Sequence, residues 1–140
     1  MARILAIDYG LKRTGIAVTD PLQIIATGLP TVETRSLLDF LTRYLSVEKV
    51  ETIVIGRPRQ MNNTASETEP EIARFINQLK QKLPDYNIER YDERFTSKIA
   101  LQTIAGSGLK KKDRQNKALV DKVSATLILQ SYLEYKNNSF

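Results

Sequence analysis

An acidic residue, Asp8, follows directly after a short apolar segment near the start of the chain. The segment, residues 4–7, has no polar alternation, which predicts a strand buried on both faces. Tyr9 and Gly10 open a turn, and a second apolar segment at 15–19 follows closely enough to predict an antiparallel hairpin. A carboxylate at the end of a central strand is a good place for a metal ion, although Asp is also a common turn residue.

The chain composition narrows the possible chemistry. A chain of 140 residues predicts one domain, 1–140, which buries roughly two-thirds of its unfolded surface. It has no cysteine and no histidine, which excludes disulfides, thiolate or histidine metal sites and Ser-His triads, and leaves carboxylates as metal ligands and general bases. No apolar segment approaches the ~18 residues of a membrane span, and no signal peptide is visible. We therefore expect a cytoplasmic protein without a membrane partner.

The chain carries a formal net charge of +5 at pH 7. A basic surface indicates a polyanionic partner such as nucleic acid, although it also serves simple solubility.

The order of predicted elements indicates the fold class. Three strands come first, and helices then alternate with two further strands. An antiparallel meander followed by β-α-β crossovers predicts an α/β fold with a mixed five-stranded sheet and helices on both faces. A capping box at 66–69, with Pro70 in the first turn, is expected to begin the second helix. The predicted strands are 4–7, 15–19, 24–27 (closed by Gly28 and Pro30), 52–56 and 87–91, the helices begin near 34, 69, 99 and 117, and a polar loop covers 57–64.

Further acids lie at the end of the fifth predicted strand and in the last helix. Asp92 and Glu93 are consecutive, so at most one faces a common site, and the weak alternation leaves open which. Both could instead be solvated and pair with Arg90 or Arg94. Asp121 heads a helical stripe of apolar and small residues, where a core-facing carboxylate needs a partner such as a cation shared with other carboxylates. It could instead be an acid favoured near the positive end of a helix.

A set of motifs spans nearly the whole chain. They are Asp8-x-Gly10-x-x-Arg13-x-Gly15-x-Ala17, Gly56, Asp92-Glu93-Arg94-Phe95-Thr96, and Asp121 with Ile128-Leu129-Gln130-Ser131-Tyr132-Leu133. In residues, order and spacing these motifs resemble those of the YqgF/RuvX family of pre-16S rRNA nucleases, which is related to the RuvC Holliday junction resolvases.

The resemblance implies a ribonuclease H-like fold and a metal-dependent nuclease. It carries over Asp8, Glu93 and Asp121 as catalytic metal ligands, and favours Glu93 over Asp92. Two Mg²⁺ or Mn²⁺ ions about 4 Å apart can activate a water and stabilise the leaving oxygen at phosphorus. On this hypothesis Asp8 bridges the ions, and Glu93 and Asp121 hold one each.

Basic residues near these acids are candidates for binding the phosphates of the substrate. The cluster at 110–117 could equally be a solvated loop. The candidates are Lys12, Arg13, Arg57, Arg59, Arg94, Lys110, Lys111, Lys112, Arg114 and Lys117.

Several alternatives stay open at this stage. The substrate could be precursor rRNA or a branched DNA junction, and the protein a monomer or a homodimer. A nucleic-acid-binding module with little catalysis belongs to another class, and a metal titration would distinguish it. Nucleotide-dependent phosphoryl transfer of the sugar-kinase kind needs two related domains, for which the chain is too short.

Overall fold

The structure is a computed structural model that describes residues 2–57, 68–92 and 117–137, with side chains in the last range from residue 124 onward. The predicted helix at 99–104 and the predicted loop beyond Arg57 lie outside the described residues.

The described strands form one mixed sheet in the order β3-β2-β1-β4-β5. β1 pairs antiparallel with β2, and β2 pairs antiparallel with β3, as the predicted meander requires. β4 then lies parallel to β1, and β5 lies parallel to β4. The predicted α/β class with five strands is confirmed. The strands are β1 (Arg3–Asp8), β2 (Arg13–Thr19), β3 (Ala26–Glu33), β4 (Val50–Arg57) and β5 (Asn87–Asp92).

Helices cover both faces of this sheet. They are α1 (Leu37–Val47, preceded by a 3₁₀ turn at Thr34–Ser36), α2 (Glu69–Lys82) and α3 (Lys117–Asn137). Successive residues of a strand point to opposite faces, so Leu5 and Ile7 pack with α1 and α2, whereas Ile4 and Ala6 pack under α3. None of the helices in the described ranges is long and apolar enough to cross a membrane.

The third strand differs from the sequence prediction. We expected a strand at 24–27 closed by Gly28 and Pro30, but β3 runs from Ala26 to Glu33 and passes through both residues. Proline is tolerated because β3 is an edge strand and its pairing with β2 is irregular near this point. Ile24 and Ile25 lie in an exposed loop whose backbone N–H groups donate to the carboxylate of Asp20, at 2.8 Å and 2.7 Å.

The start of α2 also differs from the prediction. The N-cap residue is Thr68, without a side-chain capping bond, so Glu69 is the first helical residue and not the third as a capping box needs. Pro70 does lie in the first turn, as expected. The carboxylate of Glu69 instead binds the guanidinium of Arg90 on β5. The capping-box prediction was wrong because the helix begins at Glu69, three residues after the predicted cap.

Candidate active site

Asp8 ends the central strand β1 and lies beside two glycines. Its partner on β2 is Gly15. On β4, Ile7 pairs with Ile55, so the next residue in the same register, Gly56, is the neighbour of Asp8. Asp8 alternates with Ile7 and therefore faces the α3 side of the sheet with Ala6. The neighbours of this partly exposed acid on both adjacent strands are therefore glycines, which place no side chain beside it.

The turn after Asp8 has a fixed shape. A Cβ atom on Gly10 would lie 2.3 Å from the backbone carbonyl oxygen of Arg13, so glycine is required there. The hydroxyl of Thr34 donates to the carbonyl of Gly10 at 2.6 Å, and its N–H donates to the carbonyl of Lys12 at 3.0 Å. The hydroxyl of Thr14 lies 2.9 Å from that of Thr34. These bonds hold the loop that carries Lys12 and Arg13 against the start of α1.

The direction of α3 follows from a contact at its end. Lys136 Nζ lies 3.8 Å from a carboxylate oxygen of Glu51, at the start of β4. Because β4 is parallel to β1, the last turn of α3 lies at the end of the sheet opposite Asp8. From residue 121 to residue 136 the helix rises about 22 Å, whereas six-residue β1 spans roughly 20 Å. The first turns of α3, which contain Asp121, therefore point toward the Asp8 end of the sheet.

The end of β5 is fixed by a strong ion pair. Arg90 donates to both carboxylate oxygens of Glu69, at 2.7 Å and 3.0 Å, and to the carbonyls of Ile55 at 3.2 Å and Gly56 at 3.1 Å. A bidentate pair of this kind is among the stronger polar interactions in proteins. It fixes α2 and β5 to the end of β4 next to Asp8.

Strand alternation in β5 separates its acids. Tyr91 packs in the cluster under α3, and Glu89 accepts a hydrogen bond from Tyr132 of that helix. Arg90 faces α2 through Glu69, so alternation assigns Asp92 to the α2 side as well. Arg57 pairs with Asp92 in the β4–β5 ladder. Among the described residues, the Nε of Arg57 is buried and has no hydrogen-bond partner.

The structure describes only part of the predicted site. Asp8, Lys12, Arg13, Arg57 and Asp92 are within it. The side chains of Asp121 and Lys117 lie outside the description, as do the whole residues Glu93, Arg59, Arg94, Lys110, Lys111, Lys112 and Arg114. Over the described side chains, no three acids are grouped closely enough to hold a metal ion.

Two supporting features were missed by sequence reasoning. The Thr34 clamp, formed by the bonds of Thr34 to Gly10, Lys12 and Thr14, joins residues far apart in sequence, so no local pattern signals it. The Glu69–Arg90 pair has a weak signal, since an acid and an arginine lie near the predicted ends of neighbouring elements.

Comparison with solved structures shows the fold. The chain matches a Thermus thermophilus RuvC structure solved in complex with a Holliday junction substrate, with a TM-score of 0.58 and 15% identity over 97% of both chains. A second T. thermophilus RuvC structure gives a TM-score of 0.53 at 14% identity over 96% of both chains. The fold, with an acid at the end of its central strand, is the RuvC-type ribonuclease H-like fold.

Sequence comparison then gives the family. The RuvX family model, described as a Holliday junction resolvase, matches residues 2–135. A Phocaeicola vulgatus protein provisionally named pre-16S rRNA nuclease is 63% identical over 136 residues, covering 97% of this chain and 98% of the relative. Relatives of the same name from Bacteroides fragilis (62% identical, 97% and 99% covered) and Porphyromonas gingivalis (57%, 96% and 97% covered) are similar. The chain belongs to the RuvX family of nucleases.

Proposed function

We propose that this chain, acting as one domain over 1–140, is a divalent-metal-dependent nuclease that hydrolyses phosphodiester bonds of precursor 16S rRNA in the cytoplasm. The observation that carries the proposal is the position of Asp8 on the α3 side of the sheet, at the end of its central strand and between Gly15 and Gly56. The ions are two Mg²⁺ or Mn²⁺, held by Asp8, Glu93 and Asp121.

The available donors suit hard divalent cations. Mg²⁺ and Mn²⁺ prefer carboxylate oxygens and retain several waters, and the glycines beside Asp8 place no side chain next to it. The direction of α3 supports Asp121 as a second ligand, because its helical turn points to the Asp8 end. Alternation assigns Asp92 to the α2 side, which supports its neighbour Glu93 as the third.

The protein's own residues bind and orient the substrate. When bound, divalent cations supply an activated water and stabilise the charge that develops at phosphorus. Lys12 and Arg13, on the loop fixed by Thr34, hold phosphates beside Asp8. Arg57, at the end of β4, binds the substrate backbone from the other side. Positioning of this kind lowers the barrier because the phosphodiester no longer has to be oriented in the reacting step.

The relatives favour rRNA as the substrate. Proteins up to 63% identical are provisionally named pre-16S rRNA nucleases and match over almost their full length. Cleavage of a four-way DNA junction is the second candidate, since the family model is described as a Holliday junction resolvase. Junction cleavage needs a homodimer to cut symmetrically, whereas rRNA cleavage is open to a monomer.

A cleavage assay tests the proposal directly. Labelled precursor 16S rRNA and a synthetic four-way junction are each incubated with the protein and Mg²⁺, Mn²⁺ or EDTA. We expect cleavage of the rRNA with either metal and none in EDTA. Selective cleavage of the junction would move the function to the second candidate. Tight binding with no cleavage of either substrate would show a binding module, and undiminished cleavage in EDTA would contradict the metal mechanism.

A further inference from the structure

A cavity of ≈ 440 Å³ opens at the edge strand β5, beyond the carboxylate site. Its volume lies within the usual range for small-ligand sites. Three tyrosines and Arg57 line it, together with acidic and basic side chains of β5. The proposed chemistry at Asp8 uses Arg57 but none of the tyrosines.

Of the three tyrosines that line the cavity, two are buried and one is exposed to solvent. Tyr91 is buried, and its hydroxyl lies 2.6 Å from that of Ser131. Tyr132 meets Tyr91 edge to face, with ring centroids 6.1 Å apart, and its hydroxyl donates to Glu89. Tyr135 lies 6.1 Å from Tyr91 and is 63% exposed. The ring of Tyr135 is therefore exposed to solvent, and the neighbouring rings of Tyr91 and Tyr132 are held by hydrogen bonds.

The charges of the cavity indicate how a nucleotide would lie in it. Burial and the hydrogen bond to Glu89 raise the pKa of Tyr132, so this phenol is neutral at ordinary pH. Glu89 also places negative charge inside the cavity, which disfavours a phosphate there but suits the amino edge of a base. Arg57 lines the cavity and provides a cation at its wall for the phosphate.

The cavity is adjacent to the proposed reaction site. Tyr91 pairs with Gly56, and Gly56 is the β4 neighbour of Asp8. Tyr91 and Asp8 face the same side of the sheet and are separated by two strand spacings, roughly 10 Å. The mouth of the cavity is therefore within reach of a strand whose phosphate lies at Asp8.

We propose that this cavity is a subsite for one unpaired nucleotide of the RNA substrate, with its base stacked on Tyr135 and its phosphate bound by Arg57. The proposal deepens the function proposed above and rests on it for the identity of the strand. A base in this subsite must leave its helix, so the site selects a single-stranded segment next to the cleaved bond. Stacking of this kind accepts any base, because every base has an aromatic face.

Binding of single-stranded RNA tests the subsite without cleavage. The affinity for single-stranded RNA is measured for the Asp8→Asn protein alone and with Tyr135→Phe or Tyr135→Ala added. Val47→Ala in the same background is the control at an exposed apolar residue. We expect Tyr135→Ala to weaken binding about 5- to 150-fold, as loss of one stacked base does. Tyr135→Phe should restore it, and Val47→Ala should change nothing. Equal affinity for Tyr135→Ala and Tyr135 would overturn the proposal.

An abasic scan separates stacking from a structural effect. One nucleotide at a time is replaced by an abasic residue, and the Tyr135→Ala effect is measured again. At one position the effect should disappear, because the stacking base is already missing. An effect that persists at every position would show that Tyr135 does not stack on a base. Photo-crosslinking of 5-iodouridine RNA to the unmutated protein should modify a tyrosine of the cavity, and crosslinks confined to other regions would also overturn the proposal.

The two proposals fail in different measurements. If Asp8→Asn cleaved RNA as the unmutated protein does, the metal mechanism would fail while the binding difference at Tyr135 remained. If Tyr135→Ala bound normally while Asp8→Asn lost cleavage, the subsite alone would fail.

Discussion

Asp8 pairs across the β1–β2 ladder with Gly15, a residue that has no side chain to place beside the carboxylate. Directly opposed residues of an antiparallel pair share one face of the sheet, with Cβ atoms about 5 Å apart. Any side chain at position 15 would therefore occupy the space next to the Asp8 carboxylate. This relationship gives a specific reason for glycine here, apart from any need of the turn.

A size series at position 15 tests this interpretation. Gly15→Ala and Gly15→Val add increasing volume beside Asp8, and we expect divalent-metal affinity and cleavage rate to fall in that order. The loss for Val should exceed the loss for Ala because the branched side chain reaches the carboxylate. Metal titration and cleavage rates measure it, with urea unfolding to confirm that the variants fold. A valine variant with unchanged metal affinity would contradict the account.

Two ion pairs of α2 provide a matched comparison of stability. In the Glu69–Arg90 pair the arginine side chain is 19% exposed and the glutamate side chain 23% exposed. In the Glu71–Arg74 pair the arginine side chain is 72% exposed and the glutamate side chain 41% exposed. We expect Glu69→Gln to lower the free energy of unfolding by about 2 kcal/mol, because a largely buried guanidinium loses its counter-charge. Glu71→Gln should cost less than about 0.5 kcal/mol. Urea denaturation measures both, and equal costs would contradict the assigned role of Glu69.

Tyr132 predicts a loss of stability at high pH. Burial and the hydrogen bond to Glu89 raise its pKa in the folded protein above the ordinary value of 10.0. The unfolded chain therefore loses this proton first, so the stabilisation is full below about pH 10 and is lost as the pH rises toward the folded pKa. Between about pH 9 and about pH 11 we expect Tyr132→Phe to lose less stability than the unmutated protein. Urea unfolding at both pH values measures this, and parallel losses would contradict it.

Sequence patterns predicted the sheet well because its strands are short apolar segments with clear ends. Residues 4–7 and 52–56 are buried on both faces and left little choice of structure. The pattern failed at the edge strand β3, where Pro30 is tolerated because one side of the strand has no partner strand in the described sheet. It also failed at the start of α2, which begins at Glu69, three residues after the predicted cap, and the carboxylate of Glu69 binds Arg90 on another element.

Within the candidate site, Asp8 has a clear local signal in the sequence. Asp8 interrupts an apolar pattern, and that signal is local. The glycines on both sides of it become neighbours only through strand pairing, so their role depends on the register of β1 with β2 and β4. The Thr34 clamp and the tyrosine cavity depend in the same way on residues far apart in sequence. The assignments of Glu93 and Asp121 stay predictions.

The basic cluster at 110–117 predicts salt-dependent binding. Replacing Lys110, Lys111, Lys112 and Arg114 by Ala should weaken RNA binding for all sequences, because phosphate contacts carry no base information. The log–log slope of affinity against salt should flatten by up to about 0.7 per lost contact. The KM should rise while kcat is largely kept, since these residues are not proposed to touch the metals. An unchanged salt slope would remove the cluster from the binding site and leave Lys12, Arg13, Arg57 and Arg59 as the phosphate contacts.

Single-turnover cleavage of precursor 16S rRNA by amide variants of the three acids tests the central claim most directly. Asp8→Asn, Glu93→Gln and Asp121→Asn are compared with Asp85→Asn, which removes an exposed acid of the α2–β5 turn. We predict that each of the three lowers the Mg²⁺-dependent rate by more than about 100-fold, because loss of a metal ligand costs more than loss of its outer partners. Each variant should stay folded, and Asp85→Asn should cleave normally. Cleavage by Asp8→Asn at the rate of the Asp85→Asn control would contradict the account.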